Sequence, residues 1–102
     1  MNASVAIQVL PKVEGEDVIS IVDKVIAYIK STGLNIFVGP FETTIEGDYD
    51  QLMDIVKRCQ IICIEQGAPS VMSYIKISYN PEGVWSIEKK TKKHHPEMNG
   101  GK

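Results

Sequence analysis

Between Phe41 and Glu46 the chain sets Glu42, Thr43, Thr44 and Glu46 close together. Two carboxylates and two hydroxyls stand where an inert strand would carry only apolar residues. Carboxylates accept hydrogen bonds and hydroxyls both donate and accept, so the group suits recognition of a polar ligand. Ser73 and Tyr74 add a hydroxyl and a phenol on a later strand-like run. The other reactive residues carry less. Cys59 and Cys63 lie four apart on an apolar helical stretch, a spacing at which two thiols can share a metal. Free cysteines packed as small hydrophobes in a reducing compartment are the plainer reading, and a disulfide within one straight helix is geometrically poor. The only histidines, His94 and His95, precede Pro96 near the C-terminus and read as surface. General acid–base chemistry needs positioned titratable groups, and neither a nucleophile motif nor a phosphate-cradling glycine loop appears. No catalytic residue, metal or cofactor is expected.

These residues must be positioned by regular elements. Residues 4–10 alternate as a strand that Pro11 ends. Glu14, Glu16 and Asp17 then bring negative charge to a helix N-terminus, where the macrodipole favours it. Val18, Ile21, Val22, Val25, Ile26 and Ile29 recur at helical spacing up to Ser31, and Gly33 supplies the stop. Strands are predicted over 34–38 and 41–46 around the Gly39-Pro40 turn. Asp48 is predicted to cap a second helix, with Gln51 three residues on as in a capping box. Its buried stripe runs from Leu52 to Cys63, and Gly67 ends it. A last strand covers 70–79 and is followed by a turn at Asn80–Gly83. Residues 84–93 suit one or two helical turns, and 94–102 read as a tail.

The order β-α-β-β-α-β predicts an α+β fold, a ferredoxin-like sandwich with a four-stranded antiparallel sheet and two helices on one face. Its first and third strands should be central. Residues 1–93 form the single domain of this reading.

Strand parity divides the side chains between the two faces. Toward the helices it sends Val5, Ile7, Val9, Phe41, Thr43, Ile45, Ser73, Ile75 and Ile77. Thr43 and Ser73 are the polar members, and a buried hydroxyl needs a partner: backbone, water or a ligand between sheet and helices. The opposite face receives Gln8, Leu10, Phe37, Thr44, Glu46, Met72, Tyr74 and Lys76. That mixture suits an oligomer interface or a ligand platform. Thr43 and Glu46 therefore point opposite ways and cannot both line one pocket in one subunit, unless Gly47 marks a bulge or a neighbouring subunit completes the site.

Charge narrows the partners. Residues 1–88 carry twelve carboxylates against six basic side chains, while 89–102 carry five lysines against one glutamate. A net acidic body repels phosphate backbones and favours a neutral or cationic ligand. An RNA-recognition module of the same topology would need exposed aromatics at Ala6, Gln8, Thr44 and Glu46 to stack bases. Nucleic acid is therefore not an expected partner. No apolar run approaches the roughly 18–20 residues that span a bilayer. The N-terminus lacks a basic region and runs straight into a strand, so a signal peptide is not expected and the cytoplasm is the expected compartment.

Gly39-Pro40, Thr43, Ile45-Glu46-Gly47 and the run Val71, Ser73, Ile75-Lys76-Ile77 resemble the small thiamine-binding proteins of ferredoxin-like fold, the YkoF-related group. The resemblance covers roughly residues 3–93. That family usually has Thr in place of Ser73, often Arg in place of Ser70, and Pro-Leu-Gly where Pro11-Lys12-Val13 stands here. It implies a cytoplasmic, non-catalytic domain that binds thiamine or its hydroxymethylpyrimidine part and assembles through its sheets into dimers and then tetramers. An aminopyrimidine presents donor and acceptor edges, and the thiazolium is a cation suited to aromatic faces or carboxylates. Thr43 and Ser73 are the first candidate contacts, followed by Glu46, with Thr44 and Tyr74 on the open face. The alternative is a regulatory or structural interaction module in which Thr43 and Ser73 merely satisfy the core.

Overall fold

The computed structural model describes residues 1–84 and Ile87. Its elements are β1 (Ala3–Pro11), α1 (Glu16–Ser31), β2 (Asn35–Val38), β3 (Thr43–Gly47), α2 (Tyr49–Glu65) and β4 (Val71–Tyr79). The four strands form one antiparallel sheet in the order β2-β3-β1-β4, with β1 and β3 central as the sequence predicts. This is the ferredoxin-like arrangement. Expectations for residues 85, 86 and 88–102, including most of the helical turns over 84–93 and the whole tail, lie outside the described residues.

One core lies between the sheet and the helices. Val5, Ile7 and Val9 from β1 and Ile45 from β3 meet Ile21, Val25 and Ile29 of α1 and Leu52, Ile55, Cys59 and Cys63 of α2. Those helical positions recur every three or four residues, which is why each helix buries a single stripe. Gly47 closes β3 at a point of close approach. A Cβ there would stand 3.3 Å from Cδ1 of Leu34 and 3.4 Å from Cδ2 of Leu52.

Three sequence expectations are corrected. Asp48 occupies the N-cap position of α2, but its side chain makes no capping bond. The Tyr49 N–H instead donates to Oδ1 of Asn2 at 2.8 Å, because the start of β1 runs past the helix N-terminus. The Asp48 carboxylate stands 3.8 Å from the N-terminal amine. Phe41 is not a strand residue facing the helices. The Gly39 N–H donates to the Glu42 carbonyl at 2.9 Å, which makes 39–42 a tight turn and leaves Phe41 77% exposed. Ile77, expected under the helices, is exposed on the outer strand of the sheet.

Candidate functional site

β1, α1 and the turn between β2 and β3 enclose a cavity of about 290 Å³. This lies at the small end of the roughly 300–1,000 Å³ typical of small-molecule sites. Ile7 and Val9 line it from the sheet, and Val18, Val22 and Ile26 from α1. Thr43, first residue of β3 and opposite Ile7 in register, brings a hydroxyl to these aliphatic walls. Its side chain is buried. Gly39, Pro40, Phe41 and Glu42 form the rim. The rim depends on Gly39, where a Cβ would stand only 3.0 Å from the Glu42 carbonyl oxygen.

Ser73 faces the helices as parity requires, yet β1 separates it from Thr43. Ser73 pairs with Val9 on the far side of that strand, and its hydroxyl donates to Oε1 of Gln60 on α2 at 3.2 Å. Thr43 and Ser73 thus share a sheet face but lie on opposite sides of β1, one under α1 and the other against α2.

Glu46 turns to the open face and is nevertheless only 6% exposed. Oε1 accepts from Nδ2 of Asn35 at 2.6 Å, and Oε2 accepts the backbone N–H of Ile87. Pairing of β3 with both neighbours continues unbroken through Glu46, so Gly47 introduces no bulge that would rotate this carboxylate toward Thr43. Thr44 lines a groove on the open face, and Tyr74 lies exposed on the same side. The five candidate residues therefore divide into Thr43 and Ser73 beneath the helices and Thr44, Glu46 and Tyr74 on the other face.

The two thiols are buried in the core. Burial pushes Cys59 up to about 12, with the neighbouring Cys63 adding to the rise. Burial also raises Cys63. Among the described residues no group of three or more His, Cys, Asp or Glu side chains is arranged to hold a metal ion.

Sequence reasoning missed the partners rather than the principals. Asn35 and Gln60 each satisfy a candidate residue, and Asn2 replaces Asp48 as the helix cap. The signal for Gln60 was present: it is an amide beside the apolar stripe of α2, next to Cys59 and Cys63.

An antiparallel sheet with both helices on one face and a ligand-sized cavity under the first helix defines a small ferredoxin-like domain. A sequence profile described as thiamine-binding protein matches residues 5–95, and the chain belongs to that family. A UPF0045 protein of Clostridium perfringens is 52% identical over 88 residues, covering 86% of this chain and 93% of that protein. A DUF77 domain from Bacillus cereus superposes with a TM-score of 0.86 at 38% identity, covering 95% of this chain and 93% of its own. A Thermotoga maritima protein, described as a candidate for thiamine biosynthesis or salvage, superposes at 0.82 with 34% identity, covering 92% and 99% of the two chains. No helix among the described residues is long and apolar enough to cross a membrane.

Proposed function

We propose that this domain binds thiamine, or its hydroxymethylpyrimidine part, in the cavity between α1 and the sheet, and does so without catalysis. The observation that carries the proposal is a buried hydroxyl, Thr43, against the aliphatic walls of a cavity of about 290 Å³ whose lining also includes Gln8 and, at the rim, Phe41 and Glu42. Apolar walls shed water from the faces of a flat heteroaromatic ring, while one hydroxyl fixes the orientation of its polar edge. Family membership supports the ligand class. The state of the two thiols supports a binding role, since a thiol acts as its thiolate and both here are buried and pushed up.

In this reading Thr43 is the first ligand contact, while Ser73, bonded to Gln60 on the far side of β1, backs the strand that supplies Ile7 and Val9 to the cavity wall. Glu46, Thr44 and Tyr74 contribute from the open face, toward a second protomer. Phe37, Met72 and Tyr74 are exposed there and support assembly through sheet surfaces, a homodimer and then a homotetramer. The domain, residues 1–93 with 94–102 as its tail, works in the cytoplasm in this reading and takes neither nucleic acid nor membrane as partner.

Calorimetric titration with thiamine and with hydroxymethylpyrimidine tests the proposal. Saturable heat is expected for the native protein, with loss of binding in Thr43→Val and an unchanged thermal midpoint. Absence of heat at millimolar ligand would favour an interaction module instead. Full affinity in Thr43→Val would move the site elsewhere.

A further inference from the structure

β4 is an outer strand, hydrogen-bonded to the rest of the sheet along one side only. The Lys12 N–H donates to the Ser70 carbonyl at 2.9 Å, and the Asn80 N–H donates to the Asn2 carbonyl at 2.9 Å. These two bonds fix the phase of the ladder between them. Even-numbered residues of β4 exchange main-chain bonds with β1, while Val71, Ser73, Ile75, Ile77 and Tyr79 aim theirs outward. Their five N–H and five C=O groups have no hydrogen-bond partner among the described residues. Sheets usually blunt such an edge with shortness, proline, a bulge or charge. β2, the other edge, is four residues long and is followed by Gly39-Pro40. β4 is nine residues long, has no proline and pairs with β1 without interruption from Val71 to Tyr79. Its one charge, Lys76, is engaged by Glu42 of the same chain at 3.2 Å. The outward-bonding residues are mostly apolar, and Ile77 and Tyr79 are exposed.

An edge of this kind fits a strand of the same length and the same alternation. We propose that β4 pairs antiparallel with β4 of a second copy, about a two-fold axis at Ile75, so that two domains share one eight-stranded sheet. The inference rests on the self-association proposed above and is independent of any ligand at Thr43. Its register follows from the residues. Ile75 is the middle residue of β4, and setting it opposite the partner's Ile75 puts Ser73 opposite the partner's Ile77 and Val71 opposite the partner's Tyr79. Every outward N–H and C=O of both copies then enters a hydrogen-bonded pair. On the open face Lys76 stands opposite the partner's Tyr74, an ammonium beside a phenol ring. Moving the axis to Lys76 would set two lysines directly opposite and leave Val71 unpaired. Moving it to Tyr74 would leave Tyr79 unpaired. Only the axis at Ile75 satisfies the whole edge and keeps the like charges apart.

Sedimentation and cross-linking of the full-length protein test the proposal. Ile75 is the only residue of β4 that meets itself across this axis. Ile75→Lys and Ile75→Glu should therefore each halve the sedimenting mass, and refolding the two variants together should restore it. Thermal melts verify the fold of each. Tyr74→Cys and Lys76→Cys give a second test that leaves the helix side of the strand intact. In the proposed register Cα of residue 74 lies about 4.5 Å from Cα of the partner's residue 76, within reach of a disulfide. Oxidised with diamide, the two cysteine variants refolded together should form several-fold more disulfide dimer than either alone. Cys59 and Cys63 are buried and should stay reduced. Where the charged variants unfold, the mixed disulfide decides alone. Cross-linking of either variant by itself, as strong as in the mixture, would overturn the proposal. An assembly that keeps its mass in both charged variants and forms no mixed disulfide would overturn the edge contact and leave assembly through the open face standing. A native protein that is monomeric at every concentration would overturn both readings.

Discussion

Oε1 of Glu46 accepts a 2.6 Å hydrogen bond from Nδ2 of Asn35, its register partner on β2. The second oxygen accepts the backbone N–H of Ile87, so one buried carboxylate ties the short outer strand and a residue beyond β4 to the centre of the sheet. Hydrogen bonds to a charged group are the strong kind, and a buried donor left without its acceptor is costly. Glu46→Ala should therefore lower unfolding free energy by about 1.5–3 kcal/mol. Glu46→Gln should lose less, because an amide oxygen can still accept one of the two bonds. Urea unfolding of both variants checks the order.

Asn35→Asp turns the same contact into a carboxylate pair. Like charges this close disfavour ionisation, so the pair holds a proton in the folded protein at a pH where the unfolded chain has released it. The folded state then binds more protons than the unfolded one, and its stability falls as pH rises. The variant should be clearly destabilised at pH 7 and regain stability as the pH falls into the range where unfolded carboxylates take up protons, about 4. Urea midpoints between about pH 4 and pH 7, set against the native protein, measure the difference. A flat difference would mean that Glu46 and the new carboxylate do not share a proton.

Alternation and helical spacing carried most of the fold, because burying one side of a sheet and one stripe of a helix constrains residue types directly. Thr43 and Ser73 were assigned to the helix side by the same rule, and the structure puts them there. Relations set by distant approach were not legible. Asn2 reaches Tyr49 only because the start of β1 passes the end of α2, and neither sequence neighbourhood records the other. Asp48 had the right type and place for a cap and was displaced by that longer-range donor–acceptor pair. Phe41 misled for a local reason: the turn needed both residues between Gly39 and Glu42, which moved the start of β3 to Thr43. Glu46 reads on parity as an exposed polar residue, and its burial follows from Asn35 and Ile87, which sequence spacing does not connect to it.

Gly39 lines both the cavity under α1 and the groove on the open face, at the turn between β2 and β3. A methyl group added there would meet the Glu42 carbonyl oxygen at 3.0 Å, and that oxygen is backbone that already accepts the Gly39 N–H. The turn must open to admit it. Gly39→Ala should cost about 1–3 kcal/mol, the usual range for forcing atoms into packed space. It should also weaken any ligand binding in the cavity under α1, since the displaced turn rims that cavity. Gly47→Ala should be milder, because its nearest neighbours are side-chain methyls of Leu34 and Leu52 that can rotate. Paired denaturation and titration of the two variants separates a turn effect from general crowding.

Alkaline pH probes the thiols. Burial holds Cys59 up to about 12 in the fold, with Cys63 adding to the rise, against a value near 9 for a solvated thiol. Between those two values the folded state keeps a proton that the unfolded state gives up, so stability is fully present below about pH 9 and drains away as pH climbs. The slope for one such group approaches about 1.4 kcal/mol per pH unit. Cys59→Ala removes that term while leaving a small cavity, so it should start lower at pH 8 yet lose less stability between pH 9 and 11 than the native protein. Guanidinium unfolding at each pH gives both slopes. Iodoacetamide provides an independent reading, since only the thiolate reacts. At pH 8 neither Cys59 nor Cys63 should be modified in the native protein, and both should react once it is unfolded; fast labelling of the folded chain would contradict their burial.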